Sequence, residues 1–149
     1  EDKAWNSTYI GTANSNYKRE MIREIGPDLV CGNGWKIPPV YLHELVWYLN
    51  KARILIDVHQ SPTAGPNRKF FEMIACGFTI VDKVPGVEEI LGWGLTNQVS
   101  FKTPEEARGL IKNYLERPKE RGEIWQLEQE KIQGHTYEKV VRKILGHLK

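Results

Sequence analysis

Gly65-Pro66-Asn67-Arg68-Lys69-Phe70-Phe71-Glu72-Met73-Ile74-Ala75-Cys76-Gly77 lies between two apolar runs, Arg53-Ile54-Leu55-Ile56-Asp57-Val58-His59 before it and Phe78-Thr79-Ile80-Val81-Asp82 after it. The succession reads as strand, helix, strand. Gly65 lets the backbone turn sharply, Pro66 tolerates a first-turn position because it has no N–H to lose, and Gly77 stands where a left-handed C-cap is expected. Free N–H groups at such a helix start attract anions, and Arg68 adds a fixed positive fork beside them, so a phosphate or diphosphate is the natural guest. The same residues allow a plainer arrangement, in which Arg68 and Glu72 merely pair at i,i+4 on the surface of an ordinary βαβ helix.

Upstream, Thr8-Tyr9-Ile10 is a short β-prone run that ends at Gly11 and the polar loop Thr12 to Asn16. A helix follows over Tyr17 to Ile25, with Met21, Ile22 and Ile25 as its apolar stripe. Asp28-Leu29-Val30-Cys31 is a second strand, closed by Gly32-Asn33-Gly34-Trp35, whose two glycines permit close backbone approach to a ligand and also describe any tight βα turn. Lys36 to Pro39 is a connector, since paired prolines suit neither an interior strand nor a helix. Val40 to Ala52 has a helical pattern so apolar that the helix should be largely covered. The run from Arg53 to His59 is that of a strand buried on both faces of a parallel sheet, with His59 at its carboxyl end.

Downstream, Pro85 to Leu91 reads as a short helix entered through a glycine turn and closed by Gly92-Trp93-Gly94, and Gln98 to Phe101 as a last short strand. Thr103-Pro104-Glu105-Glu106 has the form of a capped helix start. Pro118 ends that helix, and a more polar one over Lys119 to Gln133 is anchored by Ile124, Leu127 and Ile132. Thr136 caps a final amphipathic helix. Strands alternating with helices of about 10 to 15 residues argue for a doubly wound parallel α/β sheet, Rossmann-like, of about five to six strands with C-terminal helices. Ligands of such sheets bind beyond the carboxyl ends of the strands, where these glycine turns lie.

With 149 residues, 40% hydrophobic and 27% charged, the chain has the size and composition of one soluble globular domain over 1–149. A net charge of +2, with bases and acids interleaved, gives no reason to expect nucleic acid. No apolar run reaches the roughly 18 to 20 residues that cross a bilayer. Glu1-Asp2-Lys3 has neither an initiator Met nor a signal pattern and reads as the interior of a longer protein or a processed start. Cys31 and Cys76, both in apolar contexts, read as free thiols of a reducing compartment, so a cytoplasmic location is expected.

The order of these features resembles the C-terminal, nucleotide-binding domain of GT-B fold glycosyltransferases, specifically the family 4 type and the related spore-maturation type. Tyr9-Ile10-Gly11, Val30-Cys31-Gly32-Asn33-Gly34, Asn67 to Gly77 with the strand after it, and His135-Thr136-Tyr137-Glu138-Lys139-Val140 carry the resemblance. It implies transfer of a sugar from a nucleoside-diphosphate sugar, UDP among the carriers, to an acceptor held by an N-terminal domain of the same or another chain. That domain is absent from this sequence, and peripheral membrane association enters only if the acceptor is a lipid. The resemblance gives Glu72 the ribose hydroxyls and gives the turn Gly65-Pro66-Asn67, the helix-start N–H groups and Arg68 the diphosphate. Arg68 thereby becomes the residue that stabilises the leaving group. Gly11, Gly32 and Gly34 line the donor, and Glu88 and Glu89 follow the Pro85-Gly86-Val87 turn, where related domains approach it; one of them, Glu88, is expected to face the site, while two acids in a first helical turn also suit the helix dipole.

Two departures stand out. Ala64 occupies the position where family 4 enzymes usually carry a second glutamate, eight residues before the ribose one. Thr12 replaces the arginine that follows their first glycine turn, which leaves Lys18, Arg19 or Arg68 to supply phosphate charge. His59 reads first as a residue orienting the adjacent loop and alternatively as a general base. Without an Asp-x-Asp motif, neither a metal nor any other cofactor is expected. The competing reading is a non-catalytic module that binds a nucleotide or nucleotide-sugar.

Overall fold

Five strands, β1 (Trp5–Ile10), β2 (Leu29–Cys31), β3 (Ala52–Asp57), β4 (Thr79–Asp82) and β5 (Ser100–Phe101), form one parallel sheet in the order β2-β1-β3-β4-β5. They belong to a computed structural model that describes residues 3–135, 139, 141, 142, 145 and 146; the final helix expected from Thr136 lies largely outside the described residues. The sheet is buried on both faces, as the unbroken apolar run in β3 requires: Ile54, Leu55, Ile56, Ile80 and Val81 have no exposed surface. Among the described residues, the helices that connect and cover it are α1 (Asn16–Ile25), α2 (Leu42–Lys51), α3 (Arg68–Cys76), α4 (Val87–Leu91), α5 (Trp93–Val99), α6 (Pro104–Glu116) and α7 (Pro118–Ile132).

The chain runs outward from β1 to β2 and then crosses back to β3 on the other side of β1. Crossovers on the two sides of that point leave opposite faces of the sheet, so a crevice opens beyond the carboxyl ends of β1 and β3. Its floor is made of two interlocked turns. Gly11 N–H donates to the Cys31 carbonyl at 2.9 Å, Ala13 N–H to Asn33 at 2.8 Å, and the Trp35 indole to the Gly11 carbonyl at 2.8 Å. Gly32, at φ 134°, packs so closely on Gly11 that a Cβ would overlap the Gly11 carbonyl. The sequence read this glycine pair as room for a ligand, and the structure uses much of that room to let one turn touch the other.

Several sequence expectations need correction. α3 begins at Arg68 with Asn67 as its cap, so Pro66 lies in the extended approach and not in the first turn. Gly77 is extended, at φ −175°, and its lack of a side chain matters because a Cβ would come within 3.2 Å of Leu55. Gln98 and Val99 belong to α5, not to a strand: Leu95 and Val99, one turn apart, both bury against the core, and β5 is only two residues long. α2 is not largely covered. It packs on α3 and β3 and, through Trp47 and Tyr48, on Trp5 of β1, buries Leu49 alone, and leaves Tyr41, Leu42 and Trp47 66%, 81% and 51% exposed. Leu127 on α7 is likewise exposed, while Ile124 and, unexpectedly, Glu128 face inward. Among the described residues no helix is long and apolar enough to cross a membrane.

Candidate functional site

Asn67 accepts the Lys69 N–H on its side-chain oxygen at 3.0 Å and so sets where α3 begins. The next two residues diverge. Arg68 turns outward, 77% exposed, and its Nε lies 2.9 Å from Glu72 Oε1 one turn along the helix. Lys69 turns inward, where Nζ sits 2.8 Å from Asp57 Oδ1 at the end of β3 and 4.5 Å above the Tyr9 ring. The surface pair foreseen for Arg68 and Glu72 is therefore formed, and the cation drawn into the crevice is Lys69.

Beneath this rim lies a buried polar cluster. Asp57 ends β3 and Asp82 ends β4, and His59 joins them: its Nδ1 is 2.6 Å from Asp82 Oδ1, its backbone N–H donates to the same carboxylate, and its Nε2 is 3.7 Å from Asp57 Oδ2. Tyr17, from α1, donates its hydroxyl to Asp82 Oδ2 at 3.2 Å. His59 is only 2% exposed, which gives it the geometry of a brace between strand ends.

Lys18 enters the cluster from the start of α1, 7% exposed, and among the described residues no carboxylate pairs with it within 4.0 Å. Burial first, and then the charge of Lys69, push its ammonium below the ordinary lysine range. For Lys69 burial acts in the same direction, but Asp57 and Tyr9 outweigh it and hold the pKa above the usual value. Two cations thus interact at the switch point, Lys69 in contact with a carboxylate and Lys18 reached by Asp57 and Asp82 only at longer range.

Above the cluster a cleft of about 230 Å³ opens between α2, α3 and the glycine turns. One flank is charged, with Arg68, Lys69 and Glu72. The floor is Gly11, Thr12, Gly32 and Asn33, and the other flank is apolar, with Val40, Tyr41, Leu45 and Met73 prominent. Of the residues expected from the sequence, this cleft gathers Gly11, Gly32, Arg68 and Glu72. Gly34 packs behind it on Ala13, and Lys18 and His59 lie below it. Arg19 is turned away, its Nε donating to the Ala13 carbonyl at 2.9 Å. Gly65 and Pro66 lead toward a second cleft, of about 620 Å³ beyond β4, where Pro66 abuts Gly86 and Glu88 and Glu89 form part of the wall.

Sequence reasoning passed over Lys69, Asp57, Asp82 and Tyr41. Two aspartates closing two consecutive apolar strands were the available signal for the buried cluster, since an acid at the carboxyl end of a parallel strand faces the site. Among the described residues, no group of three or more His, Cys, Asp or Glu side chains is arranged to hold a metal ion.

The sequence model of a family described as glycosyl transferase-like matches residues 15–146, from the cap of α1 to near the C-terminus. The chain belongs to this glycosyl transferase-like family. No curated protein matches it in sequence. Its fold is similar to that of a solved DNA-modifying beta-glucosyltransferase, studied with and without the substrate uridine diphosphoglucose. The TM-score is 0.69 at 12% identity, over 91% of this chain and 48% of that one. The T4 phage BGT, solved with its UDP-glucose substrate, gives a TM-score of 0.72 at 13% identity, over 94% and 47% of the two chains. The glycosyl transferase-like domain therefore has the architecture of one half of a GT-B fold and spans about half the length of these neighbours.

Proposed function

We propose that this glycosyl transferase-like domain is the donor half of a glycosyltransferase of the family 4 or spore-maturation type, holding a nucleoside-diphosphate sugar at the rim of β1 and β3. The observation that carries the reading is the pair Lys18 and Lys69, two inward cations at the switch point, of which Lys69 lines the same cleft as the carboxylate Glu72. A diphosphate would relieve the mutual repulsion of the lysines and add to the favourable charge of Asp57 and Asp82, which reaches Lys18 without a contact ion pair. Glu72 would accept from the vicinal hydroxyls of the ribose. Arg68 would swing from Glu72 to the diphosphate. The exchange costs little, because an exposed i,i+4 ion pair contributes about 0.5 kcal/mol or less.

In this reading the domain contributes positioning and electrostatic stabilisation of the departing diphosphate, with Arg68 and Lys69 as the mobile and the fixed cation. The acceptor, and any base that activates it, belong to a partner domain, and turnover needs both halves. His59 keeps the strand ends together and takes no proton from the acceptor. The neighbours solved with uridine diphosphoglucose make UDP the first carrier to test.

A second reading, a nucleotide-sugar binding module without turnover, is favoured by one observation: Ala64 stands where family 4 enzymes usually carry glutamate. Calorimetric titration of the chain with UDP, GDP and ADP, with Glu72→Ala as control, tests what the two readings share. Binding of at least one nucleotide at millimolar concentration or below, weakened in the variant, is expected, and no binding of any of the three would defeat both. Turnover of a UDP-sugar by the full-length protein then separates enzyme from module.

A further inference from the structure

The polarity of the cleft is lopsided in a way that neither the diphosphate nor the ribose explains. Along α3 the side chains that face it run from charged to apolar, from Arg68 and Lys69 through Glu72 to Met73. Val40 and Leu45, from the connector before α2 and from α2 itself, pack with Met73, and Tyr41 lines the cleft beside them. A ligand that offered only phosphate and sugar would leave the exposed ring of Tyr41 on this flank uncovered. A flat, weakly polar ring one sugar away from a diphosphate would cover it.

Tyr41 is the one aromatic side chain on that flank, and its placement is unusual. It is 66% exposed at the cap position of α2, yet its side chain makes no capping hydrogen bond. The residue after it, Leu42, has a φ of 51°, the sole positive value for a non-glycine residue among those described. A bulky branched side chain in that region is an outlier that the surroundings must hold in place. Pro38 and Pro39 stiffen the segment on the other side by fixing φ. A rigid connector and a strained helix entry thus deliver an exposed ring to the rim of the cleft.

We infer that Tyr41 stacks on the nucleobase of the donor, with the partly buried Leu45 beside it at the rim. The inference rests on the donor reading proposed above and extends it from the diphosphate and ribose to the base. Recognition by a ring face is tolerant of base identity, because every base has one, and the flank offers no side-chain amide or carboxylate to read a base edge. The aromatic ring, not the phenolic hydroxyl, is the working part.

Titration of the 149-residue chain and of Tyr41→Ala and Tyr41→Phe, with UDP and separately with inorganic pyrophosphate, tests this. For Tyr41→Ala the expected loss is about fivefold or more for UDP, the low end of what stacking on one ring supplies. Pyrophosphate affinity should stay within twofold, and Tyr41→Phe should bind UDP like the parent. If UDP binds the parent and Tyr41→Ala matches it within twofold, the base assignment is overturned while the donor reading stands. An equal loss for UDP and pyrophosphate overturns it too, by showing that Tyr41 acts through the fold or the phosphates. If the parent binds none of UDP, GDP and ADP, the donor reading falls and takes this inference with it.

Discussion

Glu72 on α3 and Glu128 on α7 are both helix glutamates set against the same sheet, and their surroundings are opposite. Glu72 is at the carboxyl rim, 42% exposed, with a cation 2.9 Å away and a cleft in front of it. Glu128 is fully buried at the amino end of β4, where Oε2 accepts the Thr79 N–H at 3.2 Å and Oε1 has no hydrogen-bond partner. Burial, only partly offset by that N–H, pushes the Glu128 carboxyl well above the usual range. A carboxylate that is half-open beside a cation is placed to accept from a ligand. One that is sealed in with a single donor caps a strand end and burdens the fold. Burial and partner supply, not residue type, separate the two roles.

The sharpest way to break this comparison is Glu72→Ala. Removing a carboxylate that takes two hydroxyls should cost about 3 kcal/mol of UDP affinity, roughly 100-fold, because hydrogen bonds to a charged group contribute about 1.5–3 kcal/mol each. The melting temperature should hardly move, since the side chain is half-open. Calorimetry and a thermal melt on one preparation read both. Unchanged UDP affinity would leave Glu72 as no more than the surface partner of Arg68.

Glu128→Gln should do the reverse, leaving UDP binding alone and raising stability by about 2 kcal/mol near neutral pH, the scale of an ill-satisfied buried polar group. The sign depends on pH. The folded pKa of Glu128 lies above its unfolded value, so the stability the carboxyl contributes is full below about pH 4, the unfolded pKa, and is lost as pH rises through the folded value. The advantage of the glutamine should therefore be small near pH 4 and grow toward neutrality. Denaturant melts across that range would expose a flat difference, which would mean that Glu128 is not held protonated.

The contrast also explains what could be read in advance. The doubly wound sheet was legible because periodicity and glycine turns are local signals, and the apolar run of β3 admits little else. Glu72 was legible because it sits within a patterned stretch, one turn after a basic helix start. Glu128 was not, because a glutamate amid the polar residues of α7 looks like its neighbours until packing turns it inward. Lys69 was hidden by Arg68: the two adjacent cations cannot be ranked until the helix phase decides which one faces Asp57. The exposure of α2 was misjudged because an apolar helix face announces only that it wants cover, not that this chain provides it.

Lys18 sharpens the comparison on the cationic side, being as buried as a core residue yet unmatched by a carboxylate in contact. Lys18→Met should weaken UDP binding about tenfold, the loss of one charge-assisted contact to the diphosphate. It should at the same time leave stability unchanged or raise it by up to about 1 kcal/mol, since a thioether is at ease where an ammonium is desolvated. Calorimetry and chemical denaturation together decide the matter. A variant that is destabilised and binds UDP normally would make Lys18 a counter-ion for Asp57 and Asp82 and no part of the donor site.

The smallest effect is expected at Arg68, and it separates the surface pair from any ligand role. The Arg68 side chain is 77% exposed, and its partner is an i,i+4 neighbour on the same helix. Such a pair works through high dielectric, loses side-chain freedom in forming, and is screened within about 10 Å at 0.1 M salt. Arg68→Ala should therefore change the unfolding free energy by less than about 0.5 kcal/mol, and even that difference should fade as salt is raised. The stability measurement matters because it bears on whether Arg68 can release Glu72 cheaply when a donor arrives. A loss above about 1 kcal/mol that survives high salt would show the pair to be a brace of α3, and Arg68 could not then turn to a diphosphate without weakening the helix start that presents it.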